Sequence, residues 1–96
     1  MENQLIPQQK LDEINLRLDQ NVVAIILEHI GYDIFRSYKF KLREENTPSA
    51  SIRIDGYITD FGGDFRGDII SLLRTYHGMS FVESVKYVAI CVGVEL

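Results

Sequence analysis

Apolar residues recur at a helical period of about 3.6 at both ends of the chain and at a period of 2 in its middle third. From Pro7 to about Leu18, Leu11, Ile14, Leu16 and Leu18 recur among polar residues, and Pro7 suits a first helical position, so this stretch predicts a short amphipathic helix. Asp19 then precedes Val22, Val23, Ile25, Ile26, Leu27 and Ile30, with Gly31 as the stop; so apolar a helix should be largely buried. Between Ile34 and Arg43 the pattern alternates. Tyr38, Phe40 and Leu42 share one side, and Lys39, Lys41 and Arg43 the other, which predicts a half-buried strand with one apolar and one basic face.

After the polar loop Glu44-Glu45-Asn46-Thr47-Pro48, Ala50, Ile52 and Ile54 alternate with Ser49, Ser51 and Arg53. Asp55-Gly56 reads as a two-residue hairpin turn, and Tyr57 to Phe61 returns as the partner strand. With that turn, Ile54 faces Tyr57, Ile52 faces Thr59 and Ala50 faces Phe61 on the inward side, while Arg53 lies beside Ile58 on the outer side. Gly62 to Gly67 follows as a glycine-rich loop. Asp68 caps a third helix through Ile69, Ile70, Leu72, Leu73 and Tyr76, ended by Gly78. Ser80 and Glu83 form a capping box for a fourth helix carrying Phe81, Val82, Val85, Val88, Ala89 and Val92, closed by Gly93. The expected fold is therefore α+β, a small three-stranded antiparallel sheet flanked by two N-terminal and two C-terminal helices.

Composition narrows the function classes. The chain has 96 residues, 46% hydrophobic and 25% charged, which suits a single globular module over 1–96. No apolar run approaches the roughly 18 residues of a membrane span, and Met1-Glu2-Asn3-Gln4 lacks a signal-peptide pattern. The single cysteine, Cys91, excludes an internal disulfide and a Cys-rich zinc site, and it agrees with a reducing, cytoplasmic setting. It reads as a small core residue. His29 and His77 stand without a nucleophile and base arrangement, so no enzyme is expected.

A net charge of −4 argues against indiscriminate nucleic-acid binding. The distribution is uneven, however. Residues 1–33 hold Lys10 and Arg17 against Glu2, Asp12, Glu13, Asp19, Glu28 and Asp33, whereas residues 34–66 hold Arg36, Lys39, Lys41, Arg43, Arg53 and Arg66 against Glu44, Glu45, Asp55, Asp60 and Asp64. The basic charge falls on the strands. The loop from Gly62 to Gly67 lacks the Lys-Ser/Thr of a phosphate loop, and Asp64 and Asp68 repel anions.

The ordered set Ile6-Pro7, Leu11-Asp12-Glu13-Ile14, Asn46-Thr47-Pro48-Ser49, Phe61-Gly62, Gly67-Asp68-Ile69-Ile70, Gly78-Met79-Ser80-Phe81-Val82-Glu83-Ser84-Val85 and Gly93-Val94-Glu95-Leu96 resembles the N-terminal zinc-binding domain of bacterial DnaG-type DNA primases. The resemblance spans almost the whole chain. It implies a zinc-ribbon-like sheet that engages single-stranded template DNA. In that family a Cys-x-x-His and a Cys-x-x-Cys pair close a tetrahedral zinc site; flanking motifs place Phe40, Arg43, Asp60 and Gly63 at those positions here. None is a thiolate or imidazole, so no metal and no cofactor is expected, with Phe40, Phe61 and Phe65 supplying buried area in its stead.

The expected function is that of a non-catalytic, primase-like module binding single-stranded DNA in a replication or mobile-element context, beside a primase, helicase or other replication protein. Lys39, Lys41, Arg43, Arg53 and Arg66 are the candidate nucleic-acid contacts. Both Tyr38 and Tyr57 point inward by the alternation, which leaves them poorly placed for stacking. The alternative is a protein-interaction or assembly module that has lost zinc and DNA binding, with Asp12, Glu13, Asp19, Glu28, Asp33 and surplus apolar residues as its surface.

Overall fold

The computed structural model describes residues 6–44 and 47–96. Two helices, α1 (Gln8–Arg17) and α2 (Gln20–His29), lead into the sheet, and α3 (Ile69–His77) and α4 (Phe81–Val92) follow it. Their ends are set by local chemistry. Asp19 accepts from the Val22 N–H at 2.9 Å, Asp68 from the Ser71 N–H at 2.8 Å, and Ser80 and Glu83 close a reciprocal capping box. Gly78 and Gly93 end α3 and α4 in the left-handed region. Helix α4 lies against α1, α2 and α3, while α2 packs on the sheet's second strand and α3 on its last. Arg17 fastens α1 to the end of α4, donating to the carbonyl of Val92 at 2.9 Å.

The sheet is antiparallel with strands in sequential order: β1 (Lys39–Phe40), β2 (Ala50–Ile52), β3 (Ile58–Asp60) and β4 (Arg66–Gly67). The α+β class and the two-plus-two helices match the expectation. The strand count does not. β4 forms within the stretch read as a glycine-rich loop, because the Gly62-Gly63 turn brings Arg66 opposite Thr59 and Gly67 opposite Ile58. The strand expected over Ile34 to Arg43 shortens to two residues. A 3-10 turn, Arg36–Tyr38, interrupts it, and Ser37 and Tyr38 take left-handed φ of 62° and 57°.

The hairpin register is also shifted by one residue. Ala50 pairs with Asp60, Ser51 with Thr59 and Ile52 with Ile58. The loop holds three residues, Ile54-Asp55-Gly56: the Gly56 N–H donates to the Arg53 carbonyl at 2.8 Å and the Arg53 N–H to the Tyr57 carbonyl at 2.7 Å. This turn requires positive φ only at Gly56, which has φ +90°, whereas the two-residue type I′ turn requires it at Asp55 as well. A Cβ on Gly56 would also meet a Val23 methyl at 3.0 Å, so α2 packs tightly beneath the turn.

A one-residue slip exchanges the faces of a strand. Ile58, expected outside, is sealed in the core with Phe40, Ala50 and Ile52. Ile54, Tyr57 and Phe61, expected inside, are exposed, Phe61 at 74%. Phe61 therefore contributes little of the buried area assigned to it, while Phe40 is fully buried and Phe65 partly so. Cys91 is exposed rather than core, because the packed side of α4 is taken by Val85, Val88 and Ala89.

Candidate nucleic-acid interface

Register fixes what the solvent side of the sheet presents. Lys39 stands opposite Ser51, Ser51 opposite Thr59 and Thr59 opposite Arg66. Directly paired residues share a face, so these four form one row across all strands, about 14 Å long at the usual strand spacing. Two cations flank two small hydroxyl side chains. Among the described residues no carboxylate lies within ion-pair distance of Lys39, Lys41 or Arg66.

Alternation along β3 adds Tyr57 and Phe61 on the same side as Thr59. The Phe61 N–H donates to the Ser49 carbonyl at 3.0 Å, so the ladder continues past Asp60 and holds Phe61 in line. Arg53 stacks over the Tyr57 ring at 5.4 Å and bridges to Asp55 at 3.4 Å, both charges being largely solvated. The face therefore alternates cations with aromatic rings, the combination that holds phosphates and stacks bases. Tyr57 and Phe61 lie four residues apart, about 13 Å along the strand. Sequence reasoning missed both rings because it assigned the shorter turn; Gly56 at the third loop position was the signal for the longer one.

The five predicted cations are not equivalent. Lys39, Arg53 and Arg66 reach the outer face. Lys41 sits at the β1 edge, 5.9 Å from the centre of the half-exposed Phe35 ring. It lines an open cleft of about 700 Å³ with Leu42, Arg43, Glu44 and Tyr76. Arg43 is turned towards Asp60, with 3.1 Å between guanidinium and carboxylate, and its side chain remains partly exposed.

The four positions that the resemblance would set against zinc ligands divide in the same way. Phe40 lies in the core, while Arg43, Asp60 and Gly63 converge at the β3–β4 turn. Among the described residues no group of three or more His, Cys, Asp or Glu side chains is placed to hold a metal ion, and a carboxylate engaged by arginine is no tetrahedral zinc site. The residues do not fit the metal.

Elsewhere the titratable groups are tied into packing. The Tyr32 hydroxyl shares a 2.8 Å hydrogen bond with His77 Nε2, and its ring meets Phe40 edge-on at 5.4 Å. Burial, reinforced by Tyr76 nearby, raises the Tyr32 pKa above its ordinary 10.0. Partial burial likewise raises the Cys91 thiol, opposed by its hydrogen bond with Tyr87, which leaves it a poor nucleophile at neutral pH. Among the described residues no helix is long and apolar enough to cross a membrane. No protein-family model matches the chain, and no curated protein matches it.

Proposed function

We propose that this chain is a non-catalytic module that lays single-stranded nucleic acid across the outer face of its sheet. The observation carrying this reading is the cross-strand row Lys39, Ser51, Thr59 and Arg66, bordered by the exposed rings of Tyr57 and Phe61. Cations supply phosphate contacts, and exposed rings accept only bases that are not already paired, which favours a single strand over a duplex. The resemblance to the primase zinc-binding domain points to the same ligand, single-stranded DNA, and to a cytoplasmic replication or mobile-element setting beside a primase or helicase. On this reading the fold is a zinc-ribbon-like sheet that has lost its metal. Polymerising chemistry belongs to no part of this reading.

Titrating a labelled oligonucleotide at several salt concentrations tests the proposal. Four solvated cations, Lys39, Lys41, Arg53 and Arg66, correspond to a log–log salt slope of roughly −2 to −3 for a single strand. Affinity should weaken along that slope and be higher for the single strand than for the duplex. Absence of binding at low salt sinks the reading.

One observation favours the protein-interaction alternative. Val22, Ile25, Ile26, His29, Ile90 and Cys91 line an apolar cleft of about 340 Å³ between α2 and α4, with Ile25 and Ile90 exposed. Oligomerisation or partner capture through α2 and α4, with no nucleic-acid binding, is what that alternative predicts.

A further inference from the structure

Asp60 is the acidic side chain that the described residues bury completely, and everything around it is arranged to receive it. Its Oδ1 accepts from the Ser49 hydroxyl at 2.9 Å, the Gly62 N–H at 3.0 Å and Arg43 Nη2 at 3.3 Å. Oδ2 accepts from Arg43 Nε at 3.2 Å and lies 3.1 Å from the positively charged Nη2. The fork of one guanidinium thus grips both oxygens, and the arginine side chain remains 38% exposed. The backbone closes down on the pair. A Cβ on Gly62 would lie 2.6 Å from Ser49 Oγ and 2.7 Å from Arg43 Nη2, and one on Gly63 would lie 2.8 Å from Asp60 Oδ2.

These contacts join three separate stretches: the residues after β1, the residue before β2 and the turn between β3 and β4. We infer that Arg43 and Asp60 form a metal-free cross-link that closes this end of the sheet and positions the outer face. Asp60 precedes Phe61, and the Gly62-Gly63 turn it anchors delivers the chain to Arg66. Arg43 is on this account a positioning residue, acting through Asp60 rather than on a phosphate. The cross-link stands on the geometry alone; its effect on ligand binding rests on the reading of the outer face as a nucleic-acid surface.

Thermal unfolding and oligonucleotide titration together test it. The wild-type midpoint should be unmoved by EDTA or by added zinc, and a fall in EDTA overturns the metal-free claim. Asp60→Asn and Arg43→Met should each lower the midpoint by roughly 5–10 °C, since the first sets an amide N–H against the donors that Asp60 receives and the second leaves a buried carboxylate without its arginine. In the Arg43→Met, Asp60→Asn double variant the losses should be clearly less than additive. Unchanged single-variant midpoints, or losses that simply add, overturn the cross-link.

For binding, Arg43→Lys keeps the charge and loses the fork, and serves if Asp60→Asn fails to fold. At a temperature where both variant and wild type are folded, affinity for an oligothymidine should fall about three- to tenfold with the salt slope unchanged. For Arg43→Met, a slope shallower by about 0.7 identifies a direct phosphate contact and overturns the positioning role. A wild type that binds no oligonucleotide removes the functional reading, while the unfolding arms still decide the cross-link.

Discussion

On the inner face of the sheet Phe40, Ala50 and Ile58 are sealed from water, while their chain neighbours Lys39, Ser51 and Thr59 reach the outer face. The two faces share one backbone, yet different forces fix them. Burial holds the inner face, since each apolar side chain removed from water contributes on the order of 1.5–3 kcal/mol and each neighbour blocks a slip of register. The outer face bears no comparable packing. Its cations and rings stand largely in solvent, with Arg53 stacked over Tyr57.

The comparison breaks if substitutions on the two faces have like effects. Ile58→Ala, which opens a cavity in the buried core, should cost about 2–5 kcal/mol in denaturant unfolding, whereas Thr59→Ala next to it should stay within about 0.5 kcal/mol. On the outer face the loss should appear in binding instead. Tyr57→Leu and Phe61→Leu should each weaken single-strand affinity by about 1–3 kcal/mol, leaving the salt slope and duplex affinity unmoved. Equal losses for duplex and single strand would show that the rings do not stack on bases.

Two smaller effects sharpen the boundary between the faces. Ser37 holds φ +62° in the turn that brings the chain to Lys39, so Ser37→Gly should stabilise by about 0.5–1 kcal/mol if that turn is only a connector. Stabilisation accompanied by weaker binding would instead tie the strained turn to the outer face. Beneath the sheet, Tyr32 is held neutral against Phe40 and His77. Because its folded pKa lies above the unfolded value, its contribution is complete below about pH 10 and is lost as pH rises through the raised value. Tyr32→Phe should flatten that alkaline decline in stability, and an unchanged decline would assign it to other groups.

What the sequence reveals and what it hides follow the range of the interactions. Asp19, Asp68, Ser80 with Glu83, Gly78 and Gly93 act within a few residues, and the helix ends were legible from them. The hairpin register depends on Gly56 against Val23 and on Arg43 reaching Asp60, contacts between segments far apart in the chain. Alternation alone placed Phe61 inside and Asp60 outside, because an aromatic ring outranks a carboxylate for burial until an arginine partner is known. β4 is two residues long and follows paired glycines, so no periodicity marks it. As a result, the outward placement of Lys39, Arg53 and Arg66 was legible in the sequence, while the exposure of Tyr57 and Phe61 and the Arg43–Asp60 pair required the register.

The most direct measurement is the salt dependence of single-strand affinity for the wild type and for the Lys39→Ala, Arg66→Ala double variant, which removes both ends of the cross-strand row. The account predicts binding by the wild type, and a log–log slope shallower by about 1.4 in a variant of unchanged stability. An identical slope in the two proteins, or a wild type that does not bind at low salt, would contradict it.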